Sequence, residues 1–294
     1  MPTEIITSDV ELTRAGFHWR ETEGVVALIS SELEREGFSN AFSTRLGGVS
    51  PFPENSLNLA GFNDDAAENI YENRRRFLKL LGGEWTLAAC WQTHSADVRL
   101  VKDTEDARPP EASLGENVYC DALTTRTPGI LLGVKTADCV PVLLADSRTG
   151  ACAAIHAGWR GTVSSIVPRT LERMAAEFGT RAREVSAAIG PAAGACCYEV
   201  GSEVMEAFAK NFPDSGSLFK PTREGHALVD LHRANREQLA KAGVSPERIH
   251  TAPLCTMCRT DLFFSYRREK RTTGRVGRLM SVVGKALKAE GSKQ

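Results

Sequence analysis

The sequence lacks both a long apolar run and an excess of charge of either sign. Its longest apolar stretches, such as Gly129–Val134 and Val140–Ala145, are far too short to span a bilayer. Thirty-six lysines and arginines against 37 aspartates and glutamates leave a net charge of −1, which excludes the basic footprint of a nucleic-acid-binding protein. The N-terminal segment has no basic region followed by an apolar core, so we expect no signal peptide. We therefore expect a cytoplasmic protein that binds neither membranes nor nucleic acids.

Several common motifs are also missing. The sequence contains no GxSxG, no GxxxxGKS/T and no second CxxC beside Cys255-Thr-Met-Cys258. A structural zinc site of the paired CxxC type needs two such pairs, so we predict that Cys255 and Cys258 are structural and hold no metal. In a reducing compartment the eight cysteines are expected to be free thiols, most of them filling apolar gaps.

The composition is that of a globular protein, with 42% hydrophobic and 25% charged residues. Apolar residues at helical spacing predict five helices: Val25–Glu36, Ala66–Leu81, Val163–Phe178, Glu203–Lys210 and Leu231–Ala242. Short apolar or β-branched runs between turn residues predict six strands: Ala41–Thr44, Leu87–Gln92, Asp97–Val101, Ile130–Lys135, Val140–Ala145 and Ala151–His156. Hairpins mixed with helices favour an α+β domain with a mixed sheet over a doubly wound nucleotide-binding fold.

One predicted hairpin brings two reactive side chains together. Cys139 begins one strand and His156 ends its antiparallel partner, with the turn near residues 147–150, so the two are near neighbours across the ladder. Such a pair can be a thiolate nucleophile with its base. It can also supply two ligands of a zinc site that a third histidine completes. A purely structural cysteine, and histidines that only bond to backbone, remain equally open at this point.

Arginines are concentrated in two places that could bind an anion. Arg160 follows Trp159, and residues 264–275 contain four arginines. Guanidinium groups match the oxygens of phosphate or carboxylate. Arg45 precedes a Gly-Gly turn, where backbone N–H groups can also face an anion. The alternative, a solvated charged segment, fits Lys270 and Arg271 better.

Eight sequence blocks occur together and in one order: FSTRLGGVS (42–50), LNLA (57–60), WQTHSADV (91–98), CDALTT (120–125), KTADCVPVLLAD (135–146), AAIHAGWRGT (153–162), IGPAAGACCYEV (189–200) and FFSYRRE (263–269) with TGR (273–275). In these blocks the chain resembles the laccase-domain, polyphenol-oxidase-like family of purine nucleoside phosphorylases, over about residues 25–285. The resemblance implies one α+β domain over residues 1–294. Its expected fold is a mixed β-sandwich flanked by helices, similar to that of toxin deamidases with a Cys–His pair.

The same resemblance implies an activity and a metal. Family members are zinc-dependent enzymes that phosphorolyse adenosine, inosine and methylthioadenosine and also deaminate adenosine. The family's metal triad corresponds to His94, Cys139 and His156. We take Arg45, Arg160 and Arg268 as candidates for binding the phosphate. One departure from the family pattern lies beside the first ligand, where Ser95 replaces a frequent glycine.

Three other functions stay under consideration. A metal-free Cys–His amidase or deamidase, including a hydrolase of peptidoglycan precursors, would need Cys139 and His156 but not His94. A copper polyphenol oxidase would need many histidines in His-x-His pairs, whereas this chain has six histidines and no such pair. A metal-binding module without turnover would need the triad alone.

Overall fold

A computed structural model of the chain describes residues 9–60, 65–107, 118–212 and 214–287. The strands, in chain order, are β1 (Phe17–Thr22), β2 (Val25–Ser30), β3 (Ser39–Ser43), β4 (Ser50–Pro51), β5 (Glu54–Ser56), β6 (Thr86–Ala88), β7 (Val98–Leu100), β8 (Ala122–Thr125), β9 (Ile130–Thr136), β10 (Val140–Asp146), β11 (Ala151–Ala157), β12 (Val185–Ile189), β13 (Glu199–Gly201), β14 (Phe219–Arg223), β15 (His226–Val229), β16 (Ile249–Thr251) and β17 (Leu279–Gly284). The α-helices are α1 (Asp9–Arg14), α2 (Ser31–Arg35), α3 (Ala67–Leu81), α4 (Trp159–Val163), α5 (Ile166–Phe178), α6 (Ser202–Asn211), α7 (Leu231–Lys241) and α8 (Tyr266–Thr273).

Two six-stranded sheets form a sandwich. The first has the order β1-β2-β3-β17-β9-β6 and the second the order β16-β12-β10-β11-β8-β7, each with parallel and antiparallel pairs. One apolar cluster fills the space between the sheets and includes Phe42, Leu132 and Leu143. Helix α3 covers the outer face of the first sheet, and α5, α6 and α7 cover that of the second. The α+β sandwich flanked by helices is therefore confirmed.

Strands β10 and β11 lie at the centre of the second sheet, and every residue in them is buried. Side chains alternate between the two faces of a strand. Val140, Val142 and Leu144 therefore face the helices, whereas Leu143 and Ala145 face the other sheet. By the same alternation His156 shares the inter-sheet face of β11 with Ala154, at the end of the strand. The imidazole thus lies at one open end of the sandwich.

The predicted hairpin is confirmed with its register. Strands β10 and β11 pair antiparallel from Asp146 with Ala151 to Val140 with Ala157, and Pro141 lies opposite His156. Cys139 is therefore within two residues of the position opposite His156. The other predicted strands are present, although β6 is shorter than the predicted 87–92.

Two helix predictions need correction. The region predicted as a helix over Val25–Glu36 is strand β2 followed by the short helix α2, which begins after the N-cap Ser30. Both faces of β2 are buried, against α3 and against the inter-sheet core, so its apolar run shows no alternation and could not be distinguished from a buried helix. The helix predicted over 163–178 begins instead at Ile166, because Ser165, with a positive φ of 63°, separates it from α4.

The helices predicted near 66–81, 203–210 and 231–242 correspond to α3, α6 and α7. No helix among the described residues has the length and apolar character needed to cross a membrane.

Candidate metal centre

Three separate segments meet at the open end of the sandwich. His156 comes from the end of β11, Cys139 from the residue before β10, and His94 from the loop between β6 and β7. Their ligating atoms all lie within 4.8 Å of one another. The Cys139 Sγ is 3.9 Å from His94 Nε2, and the two imidazole rings are 4.9 Å apart at their centroids, at an angle of 74°.

These separations suit one tetrahedral metal ion. With Zn–N near 2.0–2.1 Å and Zn–S near 2.3 Å, tetrahedral angles place a sulfur and a nitrogen ligand about 3.5 Å apart. His156 is buried, Cys139 is partly buried and His94 is exposed. The three ligands therefore approach from the protein side and leave the solvent side open. An open fourth position is typical of catalytic zinc sites, whereas structural sites are closed by four protein ligands.

Asp121, which is fully buried, organises two of the three ligands. Its Oδ1 lies 2.7 Å from His156 Nδ1, so Nε2 of that ring faces the other ligands. The same carboxylate accepts backbone N–H bonds from Thr93, His94 and Ser95, at 3.1, 3.0 and 2.7 Å. These bonds hold the loop in which His94 has a left-handed φ of 60°. In metal sites, a carboxylate commonly bonds to the second ring nitrogen of a histidine ligand and so fixes the orientation of the ring.

The serine that departs from the family pattern also bonds to this carboxylate. Ser95 Oγ donates to Asp121 Oδ2 at 2.9 Å, in addition to the bond from its backbone N–H. Burial acts to raise the pKa of Asp121, but the bonds from His156 and Ser95 outweigh it and lower that pKa to about 2. Asp121 is thus a carboxylate at any physiological pH.

The Cys139 thiol and the buried His156 imidazole shift each other's pKa in opposite directions. Burial favours the neutral thiol, but the charge of His156 outweighs it and lowers the pKa of Cys139 to about 6. Burial also opposes the imidazolium, but the Cys139 thiolate and Asp121 together raise the pKa of His156 to about 9. The thiolate that a metal needs is therefore already formed at neutral pH, whereas His156 must still lose a proton.

We expect the zinc affinity of this site to rise about tenfold per pH unit between about pH 6 and 9, because each ion bound releases one proton from His156. Above about pH 9 the affinity should level off, and below about pH 6 it should fall more steeply because the Cys139 thiol is protonated too. Competition with a chelator of known affinity, repeated across this range, measures the slope. A flat affinity between pH 7 and 8.5 would contradict the imidazolium assignment.

Gly158 has no side chain and thereby makes room for two of the ligands, Cys139 and His94. Gly158 directly follows β11, and a Cβ added there would lie 3.0 Å from both Cys139 Sγ and His94 Cδ2. Its backbone, with φ −66° and ψ 169°, is open to any residue, so space rather than conformation requires a glycine here.

We expect Gly158→Ala to weaken metal binding at least about tenfold with little loss of thermal stability, because the methyl group displaces two ligands from their common point. Gly201→Ala is the matched control. Gly201 is also a helix N-cap of extended conformation, but nothing lies within 4 Å of an added Cβ. Equal affinities of the two variants in a zinc titration would show that the ligands do not need the space beside Gly158.

A cavity of about 460 Å³ opens beside the three ligands. Its walls include the aromatic side chains of Trp91 and Tyr266 and the cationic side chains of Lys135 and Arg278. The Lys135 Nζ lies 5.5 Å from the Trp91 ring centroid, and the Arg278 guanidinium lies 5.8 Å from that of Tyr266. The size falls within the range of small-molecule sites.

The three arginines proposed for phosphate binding do not meet at this cavity. Arg45 is buried, its guanidinium 2.9 Å from Glu269 and stacked 4.5 Å from the Phe264 ring centroid. Arg160 is exposed, stacks on Trp159 and lies 3.5 Å from Glu203. Arg268 Nη2 lies 4.0 Å from the sulfur of Cys197. Lys135 and Arg278, which the sequence analysis did not single out, are the cations that line the cavity.

Asp138 and Gln92, the polar neighbours of two ligands in sequence, bond elsewhere. The Asp138 carboxylate accepts from Thr256, Ser265 and the backbone of Arg267. Gln92 makes two bonds to the backbone of Lys135. The orienting carboxylate is Asp121, whose one sequence signal is an acidic residue directly before an apolar strand that pairs with the strand of His156.

The cysteines at 255 and 258 have close sulfur neighbours. Cys196 and Cys197, adjacent in the chain, lie beside them, and the four sulfurs are within 4.8 Å of one another. The prediction that Cys255 and Cys258 hold no metal assumed that a second pair of cysteines must be another CxxC. In the folded chain the consecutive residues Cys196 and Cys197 supply a second pair of thiols.

The fold and this site place the chain among known proteins. The family model described as multi-copper polyphenol oxidoreductase laccase matches residues 39–284, and the chain belongs to this family. A purine nucleoside phosphorylase of Bacteroides thetaiotaomicron is 39% identical over 240 residues, which are 81% of this chain and 89% of that protein. Adenosine deaminase RL5, from an unknown prokaryotic organism, is 39% identical over 256 residues, 83% of this chain and 96% of that protein.

Solved structures show the same architecture. The crystal structure of YlmD from Geobacillus stearothermophilus superposes with a TM-score of 0.84 at 32% identity, covering 92% of this chain and 99% of that one. The Bacillus licheniformis protein YfiH superposes with a TM-score of 0.81 at 30% identity, covering 90% and 98%.

Proposed function

We propose that this chain is a zinc-dependent purine nucleoside phosphorylase that also deaminates adenosine. Its substrates would be adenosine, inosine and methylthioadenosine, with ribosyl transfer to phosphate as the main reaction. The observation that carries the proposal is an open three-ligand site beside a cavity of nucleoside size, in a chain whose relatives include a purine nucleoside phosphorylase and an adenosine deaminase.

The surroundings of the donor set support zinc over multicopper chemistry. Two imidazoles and one thiolate are ligands that both a catalytic zinc ion and a single blue-copper ion accept. A multicopper oxidase needs a cluster of histidines. All six histidines lie among the described residues, yet of these only His94 and His156 belong to a group that could hold a metal. The remaining four belong to no such group; His232, for example, bonds to the backbone oxygen of Gly190.

The walls of the cavity suit a nucleoside and an anion. Trp91 and Tyr266 offer aromatic faces for a purine base. Lys135 and Arg278 offer positive charge for phosphate, and they replace Arg45, Arg160 and Arg268 as our candidates for that role. A phosphate held there would face the positive charge that develops on the ribose as the glycosidic bond breaks.

The protein's own residues set the geometry of the reaction. Asp121 keeps the Nδ1 proton of His156 and fixes the ring, so that Nε2 and the Cys139 sulfur converge on one point. A bound zinc would supply Lewis acidity at that point and lower the pKa of a water molecule toward 7. Phosphorolysis and deamination would both take place at this position. Only phosphorolysis would also need the cations of the cavity, because only phosphorolysis binds phosphate.

Two assays on zinc-loaded protein test the proposal. Inosine should release hypoxanthine only when phosphate is present, with ribose 1-phosphate as the second product. Adenosine without phosphate should yield inosine and ammonia, and methylthioadenosine with phosphate should yield adenine. Hypoxanthine release that is independent of phosphate would indicate a hydrolase, and the absence of turnover with all three nucleosides would reject the proposed activity.

One observation favours a second candidate, a metal-free Cys–His amidase or deamidase. The Cys139 sulfur lies within 4.8 Å of the His156 imidazole, and Asp121 bonds to the Nδ1 side of that ring, which is the order of groups that activates a cysteine nucleophile. This chemistry has no role for His94. The effect of removing His94 therefore separates the two candidates.

A further inference from the structure

A second group of potential metal ligands lies outside the catalytic candidate. Cys196 and Cys197 lie on the turn between β12 and β13, and Cys255 and Cys258 lie after β16. The Cys258 sulfur is 3.5 Å from that of Cys196 and 3.2 Å from that of Cys197, and all four sulfurs lie within 4.8 Å of one another. None of the four lines the cavity beside His94.

The backbone holds these two turns together independently of the sulfurs. Ala192 and Cys255 form an isolated parallel bridge, and Thr256 N donates to Ala192 O at 3.0 Å. Gly194 allows the close approach, since a Cβ there would lie 3.3 Å from the Cys196 sulfur and 3.2 Å from Cys255 Cβ. The Gly194 N–H also points at the Cys255 sulfur, at 3.2 Å. The cluster is thus formed by ordered main chain.

We propose that Cys196, Cys197, Cys255 and Cys258 bind one structural zinc ion. With Zn–S near 2.3 Å, tetrahedral geometry places the sulfurs about 3.8 Å apart, and the four sulfurs have separations from 3.2 Å to at most 4.8 Å. A tetrahedral set of four thiolates is typical of zinc or iron, and sulfurs this close surround a single ion rather than a multi-iron cluster. Four protein ligands leave no open position, so the ion would be structural.

The charges near the cluster agree with bound thiolates. Four thiolates around Zn²⁺ carry a net charge of −2. The guanidinium of Arg268 lies 4.0 Å from the Cys197 sulfur, and the Gly194 N–H donates to the Cys255 sulfur. Hydrogen bonds and positive charge around the sulfurs are the outer-layer contacts expected of such a site.

The zinc would clamp both turns against the residue that precedes Cys139. Ala193 N donates to the backbone oxygen of Asp138 at 2.9 Å, and Thr256 Oγ1 donates to its carboxylate at 2.7 Å. Each turn thus contributes one contact to Asp138. The ion would therefore act as a positioning element for the start of β10 and as a stabiliser of the fold.

Metal counting on full-length Cys139→Ala protein, purified under reducing conditions from zinc-supplemented cells, tests this proposal. Because Cys139 lies outside the cluster, this variant should retain about one zinc per chain by elemental analysis. The added change Cys255→Ser should remove that zinc and lower the Tm. The matched control is Cys152→Ala added instead, because Cys152 is a buried cysteine outside both groups.

A second measurement keeps the proposal testable if Cys255→Ser does not fold. Cobalt added to metal-free Cys139→Ala should give the strong thiolate charge-transfer absorption of a tetrahedral S₄ site. The proposal is overturned if Cys139→Ala retains no zinc and shows no such absorption, or if non-reducing mass spectrometry of the freshly isolated chain shows disulfides among these cysteines. Failure of the nucleoside assays would leave this zinc count unchanged, so the two proposals fail separately.

Discussion

His94→Ala should abolish phosphorolysis and deamination together. Under the zinc account both reactions use the position that His94, Cys139 and His156 define, so both rates should fall by more than the roughly 10–100-fold that loss of an outer-layer partner costs. Cys139→Ala and His156→Ala should have the same effect. Under the Cys–His account, His94→Ala should keep substantial activity, because the nucleophile, its base and Asp121 remain.

The backbone at His94 calls for a second variant. Its φ of 60° is strained for alanine, whereas asparagine tolerates it. His94→Asn therefore preserves the loop better and still removes the imidazole. His226→Ala, which removes a half-buried histidine on β15, is the control and should leave both rates unchanged. Nucleoside turnover by His94→Asn at the wild-type rate would contradict the zinc account.

Asp121→Asn should lower zinc affinity about 10–100-fold, with a parallel loss of activity at limiting zinc. The carboxylate accepts from His156 Nδ1 and from three consecutive backbone N–H groups. An amide of the same shape must turn its NH₂ toward some of these donors, so at least one bond is lost and a repulsive contact replaces it. Loss of the negative charge also makes His156 a weaker ligand.

Asp146→Asn is the matched control for this change. Asp146 is equally buried and lies at the opposite end of the β10–β11 hairpin, where it accepts from the backbone of Arg148 and Thr149. Its loss should lower the Tm but leave the zinc dissociation constant unchanged. If Asp121→Asn behaves like Asp146→Asn, with lower stability but full zinc affinity, the orienting role of Asp121 is refuted.

The pairing of Cys139 with His156 could be predicted because local signals determine it. A short turn at 147–150 joins two runs of strand-forming residues, and this fixes which residues face each other. The position of His94 has no such signal. It lies on a loop between β6, in one sheet, and β7, in the other, and only the family resemblance indicated it.

The differences between the sequence-based expectations and the structure have physical causes as well. The apolar run of β2 is buried on both faces, so its pattern could not distinguish strand from helix. The arginines were selected by charge, but sequence does not give the direction of a long side chain, and Arg45 is paired with Glu269 instead. The four-cysteine group was missed because about 60 residues separate Cys197 from Cys255, and long-range contacts such as the bridge between Ala192 and Cys255 bring them together.

The central claim, that the activity depends on zinc, is tested most directly by removing the metal from the wild-type protein and then adding it back. The protein is stripped with a chelator, and phosphate-dependent release of hypoxanthine from inosine is measured before stripping, after stripping and after titration with zinc or copper. We expect activity to vanish on stripping and to return with zinc, but not with copper. Full activity in protein shown by elemental analysis to be metal-free, or recovery with copper alone, would contradict the account.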